Sequence, residues 1–242
     1  MLSSLHADVA ALATTERAKA NTWYFKTGPG QYGEGDQFAG LTLPQVRSLV
    51  KKYRDLSVDD CELLLHSSLH EERLLAVLLL VQRCRARKTD EPTRERIYNL
   101  YLANSAYVNN WDLVDASAPY IVGPYLQNKP RDVLLRLAAS ELVWDRRIAV
   151  LATFHYIKQG DCTDALRVAE ALMGDKHDLI HKAVGWMLRE VEKRCGHATL
   201  TSFLDQHAAT MPRTTLRYAL ERFEPEDRAH YMSMKQRARS KS

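Results

Sequence analysis

Glycine and proline are scarce in this sequence, and that scarcity bounds the fold. The chain has 242 residues but only 10 glycines and 8 prolines. Half of the glycines sit in one stretch, at Gly28, Gly30, Gly33, Gly35 and Gly40. The rest of the chain nearly lacks the residues that punctuate turns, which favours long regular elements, helices above all. Long apolar runs are missing too. None approaches the roughly 18–20 residues that cross a bilayer. The opening MLSSLHADVAALATTERAKA carries Asp8 within its apolar part, so it does not read as a secretory signal. Paired cysteines are also lacking. Cys61, Cys84, Cys162 and Cys195 are widely spaced with no C-x-x-C pair. They read as buried thiols of a reduced, cytoplasmic protein.

An excess of one charge is the last absence. There are 34 basic and 30 acidic residues. Residues 235–242 hold Lys235, Arg237, Arg239 and Lys241 and no acid, so residues 1–234 are neutral. Bulk charge therefore gives no argument for nucleic acid, and only the distribution of charges does. The basic end reads as a solvated, disordered tail.

What is present is helical periodicity. Val58, Cys61, Leu64 and Leu65 recur at steps of three and four, and Leu74, Leu75, Leu78, Leu79 and Cys84 do so over 72–87. Similar windows run over 92–104, 110–118, 131–139, 142–158, 163–173, 177–194, 198–208, 213–222 and 226–234. Breakers fall between them at Pro92, Pro119, Pro130, Gly160, Gly174, Gly196, Pro212 and Pro225. No alternating run is long enough for a strand. The fold class expected is all-α. About a dozen short helices with short links suit one HEAT-like or armadillo-type α-solenoid of antiparallel helix pairs with a concave face, spanning residues 1–234. Helices bearing Trp111, Trp144 and Trp186 share a loose plan with the period of such repeats.

The segment Gly28-Pro29-Gly30-Gln31-Tyr32-Gly33 formally matches G-x-G-x-x-G. A dinucleotide site needs a strand before it and a helix opening from it, and neither is present. A plain loop and a loop whose amides meet phosphate both remain open. The following helix, 43–54, presents Arg47, Lys51 and Lys52.

Four segments carry side chains with chemical use. In WDLVD, Trp111 and Asp115 share a helical face, and a ring beside a carboxylate suits a cation. Asp112 points elsewhere, as a capping or solvated acid. A core tryptophan beside a surface acid is the alternative. In VWDRRIAV, Trp144 and Arg147 share a face. An arginine among apolar neighbours needs an anion, either a phosphate or an internal acid. In HDLIHKAVGWMLREVEKR, the apolar face is Leu179, Ile180, Ala183, Val184, Met187 and Leu188, with Lys182, Trp186 and Arg189 beside it. Gly185 in mid-helix implies a close approach. His177 and His181 have metal-ligand spacing but no third ligand nearby. In MPRTTLRYALERF, Arg213 and Arg217 lie one turn apart near a helix start, where phosphate is favoured and a solvated face is the alternative. There is no Walker loop, no Ser/His/Asp order and no haem or flavin signature, so no cofactor or metal is expected.

Together these segments resemble the AlkD-type DNA alkylation repair family, HEAT-like helical glycosylases that remove positively charged alkylpurines. The resemblance runs from about Trp23 to Phe223. It is carried by WDLVD, by W-x-R-R-x-A at 144–149, by KAVGWMLRE at 182–190 and by G-x-x-x-P-x-x-R at 40–47. It implies that Trp111 and Trp186 are site tryptophans, Asp115 the catalytic carboxylate and Arg147 the site arginine. It also implies a site tyrosine at Tyr24. The DNA contacts expected beside them are Lys26, Thr42, Arg47, Lys51, Arg146, Lys182, Arg189, Arg213 and Arg217. Thr42 stands where the family has a glutamine, and the glycine-rich segment is an insertion. The implied activity is excision of 3- or 7-alkylpurines from duplex DNA, read from the backbone side without a base-flipping pocket. The alternatives are a non-catalytic HEAT-like DNA-binding protein and a protein-binding α-solenoid. A monomer without an obligate protein partner is expected, reaching the nucleoid through DNA.

Overall fold

The computed structural model describes residues 1–239, with side chains given to residue 234. Helices account for its regular structure, as the periodicity predicts. In order they are α1 (Leu2–Leu12), α2 (Thr15–Tyr24), α3 (Leu43–Lys52), α4 (Val58–Leu65), α5 (His70–Arg85), α6 (Glu91–Ala103) and α7 (Trp111–Tyr125). There follow α8 (Asp132–Ala138), α9 (Val143–Ala152), α10 (Phe154–Ile157), α11 (Thr163–Ala171), α12 (Asp178–Cys195), α13 (His197–His207), α14 (Arg213–Ala219) and α15 (Pro225–Arg239). Among the described residues the only extended pairing is an isolated bridge between Gln37 and Leu69. No described helix is long and apolar enough to cross a membrane.

Local chemistry explains the boundaries. Thr42 and Gln45 form a capping box at the start of α3, and Ser57 and Asp60 form one at α4. The Asp90 carboxylate caps α6 by accepting from Thr93 N–H at 3.1 Å. Pro44, Pro92 and Pro225 fall in the first turns of their helices, where a missing N–H costs nothing. Pro119 departs from that pattern. It reads as a breaker, yet α7 continues through it to Tyr125. One lost ladder bond is tolerated because Leu113, Val114, Ala118 and Ile121 bury the helix on both sides of the proline. Two further helices, α1 and α2, escape the periodicity. In α2 no residue is buried, so it has no apolar stripe to read.

The chain divides into two compact units, Met1–Ile121 and Val122–Ser242. In the first, α5 is the centre, with Leu74 to Val77 and Leu79 to Val81 all buried. In the second, α12 plays that part. The whole apolar face expected of it is buried, and Val191 extends it. Gly185 answers its expected close approach: a Cβ there would lie 2.5 Å from Tyr218 Cβ and 2.6 Å from the Thr215 carbonyl. The tight seat of α14 on α12 therefore requires glycine. One expectation is corrected. Cys162 and Cys195 are joined in a disulfide, so the chain has two free thiols, Cys61 and Cys84, where four were expected. The two partners lie 33 residues apart, and only the packing of α11 beside the end of α12 brings them together. The basic end at 235–242 lies outside the described residues, apart from the backbone of 235–239, which continues α15.

Candidate functional site

The first unit holds a cleft of about 640 Å³. One face of α2 lines it with Arg17, Asn21 and Tyr24, while α3 contributes Arg47 and the first turns of α5 and α7 contribute His70, Glu71, Trp111 and Asp112. Those acids answer the partial positive charge of the helix starts they occupy.

The rings form a connected cluster. Phe25 stacks on Trp111 with centroids 5.6 Å apart and on Phe38 at 5.2 Å. Tyr24 meets Trp111 edge-on at 6.1 Å. His70 lies against both Phe25 and Phe38, at 4.9 and 4.8 Å. Trp111 is half-buried, whereas Tyr24 is 55% exposed.

Behind the rings is a buried charge network. His70 Nε2 donates to Asp112 Oδ2 at 2.9 Å. Its Nδ1 faces Asp36 Oδ2 at 3.5 Å, too long for a good hydrogen bond, so that contact is Coulombic. Asp36 also accepts from Arg73 at 2.7 Å, Asn109 at 3.0 Å and Asn110 at 3.2 Å. Burial alone pulls the His70 imidazole down, but Asp112 and then Asp36 reverse this and raise it to about 9. Burial pushes the Asp36 carboxyl up, and the charges of His70 and Arg73 with the hydrogen bonds from Arg73 and Asn110 hold it below the ordinary carboxylate range.

The glycine-rich segment serves this cluster. Gly33 lies so close to the Phe25 carbonyl that a Cβ would sit 2.4 Å from it. Gly40, at φ +84, would place one 2.2 Å from the Thr14 carbonyl. The Glu71 carboxylate accepts from the amides of Ala39, Gly40 and Leu41 at 2.8 to 3.2 Å. The amides of Gly28, Gly30 and Gly33 are likewise used inside the segment. Of the readings left open, the structure favours a loop that positions Phe25 and Phe38 over one whose amides await phosphate.

The sequence-predicted residues fall as follows. Trp111 heads α7 and lines the cleft, together with Tyr24, Thr42 and Arg47. Asp115 is half-exposed one turn into α7 and is not among the lining residues; Asp112 is. The expectation that Asp112 points elsewhere is thereby corrected, since His70 draws its carboxylate toward α5. Thr42 has a structural task as the cap of α3. Lys26 is exposed at a strained φ of 56°. Arg47 and Lys51 stand exposed on α3 and, with Arg85, border a second groove of about 470 Å³ in the same unit.

In the second unit Trp186 is half-buried and tilts against Phe154 at 6.0 Å. Trp144 is buried. The three helices bearing tryptophan thus use that residue differently. Arg147 is only 5% exposed and donates to the Leu179 carbonyl at 2.6 Å, which fixes the start of α12. Arg146 is held by Asp175 at 2.7 Å and by the carbonyls of Ser140 and Glu141. Lys182 pairs with Asp178 at 2.7 Å, Arg189 with Glu221, and Arg213 donates to the Met232 carbonyl. Arg217 is exposed on α14. His177 accepts from Leu179 N–H, and His181 meets the Asp175 carbonyl, so both imidazoles serve the start of α12. No group of three metal-ligating side chains occurs among the described residues.

The model of the DNA alkylation repair enzyme family matches residues 5–223. The chain belongs to that family. In structure it is similar to a predicted DNA alkylation repair enzyme from Enterococcus faecalis, with a TM-score of 0.67 over 88% of this chain and 97% of that one. Identity is 18%, so this likeness speaks for the fold. No curated protein matches the sequence. The residues that sequence reasoning missed are the buried quartet His70, Glu71, Glu72 and Arg73 and its partner Asp36. Their only signal was four charged or polar residues directly before the apolar run of α5, which reads equally well as an ordinary acidic first turn.

Proposed function

We propose that this member of the family is a monofunctional DNA glycosylase that hydrolyses the glycosidic bond of cationic 3- or 7-alkylpurines in duplex DNA. The observation that carries the reading is the aromatic cleft at the start of α7, with Trp111 and Tyr24 at its wall and carboxylates on the same helix. An alkylated purine is a cation, and electron-rich ring faces beside carboxylates select cations.

In the proposed reaction, water adds to C1′ and the C1′–N bond breaks. The bond's electron pair neutralises the purine, which leaves. Positive charge builds on the sugar meanwhile, and the Asp115 carboxylate stabilises it and takes the proton of the attacking water. Trp111 contacts the sugar through its ring face. In the second unit Trp186 is a proposed contact to the DNA backbone. The Leu179 bond gives Arg147 a positioning role there, since it holds the helix that bears Trp186. Exposed Arg47, Lys51 and Arg217 are the proposed phosphate contacts, which position DNA without reading sequence.

The test is release of 7-methylguanine or 3-methyladenine from methylated duplex by the wild type and by Asp115→Asn. Release by the wild type, with a loss of about 10²–10³-fold in the variant, is expected. Equal release by both proteins removes Asp115 from the chemistry, and no release by the wild type removes the activity. Salt-sensitive duplex binding without release would favour a non-catalytic DNA-binding protein.

A further inference from the structure

We infer that the second groove of the first unit, between α3 and α5, is a phosphate subsite for the duplex flanking the lesion, so that the DNA contact runs from the cleft to the last turn of α5. The inference rests on the reading of the substrate as duplex DNA, and it adds Arg85 and Gln82 to the contacts that Arg47 and Lys51 begin. These four side chains rim the groove, and no carboxylate lines it. Among the described residues none of the three cations pairs with an acid. The Arg85 guanidinium rests over the Tyr120 ring, 5.3 Å from its centroid, which orders the group without neutralising it. Residues 1–234 carry no net charge, so three unanswered cations in one groove are a local excess. A row of unpaired cations is the electrostatic footprint of a phosphate backbone.

The groove continues the cleft. Arg47 and Leu78 line both. On α5, Leu74 and Leu78 face the cleft, and Leu78, Gln82 and Arg85 face the groove. Steps of four and three keep these residues on one helical face. Helix α5 has 16 residues, so its ends lie about 24 Å apart at 1.5 Å per residue. A duplex rises about 3.4 Å per base pair, which puts Arg85 about six base pairs along from the first turn of α5. The charge along that face changes sign. Glu71 and Glu72 stand in the first turn of α5, beside the rings, and Arg83 and Arg85 in its last turn. A cationic lesion suits the first end and flanking phosphates suit the second. The floor of Val50, Leu78 and Val81 is apolar, as are the carbon edges of deoxyribose. An acidic protein segment would meet the same cations, but the shared wall at Arg47 and Leu78 favours the substrate that also reaches the cleft. Contact of this kind stays on the backbone and encloses no base.

The experiment uses the full chain and two readouts. The first is binding to an undamaged duplex across a salt series, followed by fluorescence anisotropy. Arg85→Ala should weaken it about tenfold at low salt. The slope of log affinity against log salt should become shallower by about one unit, and Arg85→Lys, which keeps the charge, should retain the slope. The second readout is base release from duplexes carrying a single 7-methylguanine at the centre or about three base pairs from either end, which removes the base pairs that reach Arg85. Trimming on one side of the lesion should slow release by the wild type more than trimming on the other. In Arg85→Ala the sensitive trim should have no further effect, because the contact it removes is already gone. Circular dichroism confirms that each variant is folded. A folded Arg85→Ala with the salt slope and trimming response of the wild type overturns the subsite and gives the groove to an acidic protein segment, while base release by the wild type leaves the glycosylase reading standing. A shallower slope in Arg85→Ala with no release by the wild type would instead keep the subsite and overturn the glycosylase reading.

Discussion

His70 Nε2 and Asp112 Oδ2 lie 2.9 Å apart, joining the first turn of α5 to the first turn of α7. Phe25 stacks on Trp111 and lies tilted against His70, so the same contact sets the position of the cleft wall. Because His70 is raised from 6.5 to about 9, the folded protein holds this proton more tightly than the unfolded chain. The resulting stability is fully present below pH 6.5, falls as pH rises, and is gone above about 9. Its size is on the order of 3 kcal/mol. Chemical denaturation across this window should show the decline, and His70→Gln should flatten it. A wild-type profile as flat as the variant's would mean that His70 is not a buried cation.

Trp111 and Trp144 separate a site role from a core role. Trp144 is 4% exposed, and Trp144→Ala should cost about 3–5 kcal/mol. Trp111 is half-buried at the head of α7, so Trp111→Ala should cost distinctly less while abolishing base release. Thermal melts beside a release assay check both. Equal destabilisation by the two variants would return Trp111 to the core and favour a protein-binding helical scaffold.

Gly185 is fixed by contact with α14. Gly185→Ala should destabilise the protein by about 1–3 kcal/mol, because a Cβ would press on the Thr215 carbonyl at 2.6 Å. Replacement without loss of melting temperature would show that α14 shifts freely on α12.

Arg47 is exposed on α3 and borders both grooves of the first unit. If it meets a phosphate, Arg47→Ala should weaken duplex binding uniformly across sequences. The slope of log affinity against log salt should become shallower by about one unit. A slope identical to the wild type's would place Arg47 outside the DNA contact.

Much of this molecule is written in local pattern. The apolar steps of three and four residues are enough to make helices of α3 to α14, because a helix needs only neighbours within one turn. The buried face of α12 follows from the same short-range logic, while Gly185 in mid-helix signals a close approach whose partner, α14, only the fold supplies. So does the conjunction of Trp111 and Asp115 on one helix, which carries the family resemblance. Where the local signal is weak, the reading stops. Helix α2 has no buried stripe, and Pro119 looks like an end until the burial around it is known.

The tertiary structure decided the rest, and it did so through distance along the chain. Asp36 meets Arg73 across 37 residues and Asn110 across 74, so no window of sequence contains that network. The turn of Asp112 toward the cleft depends on His70, 42 residues away. The Cys162–Cys195 bond spans 33 residues. The sequence by itself determined helices, their apolar faces and the family. The charge state of a buried imidazole, the wall of the cleft and the pairing of the thiols are set by desolvation and by long-range neighbours, and these exist only once the chain has folded.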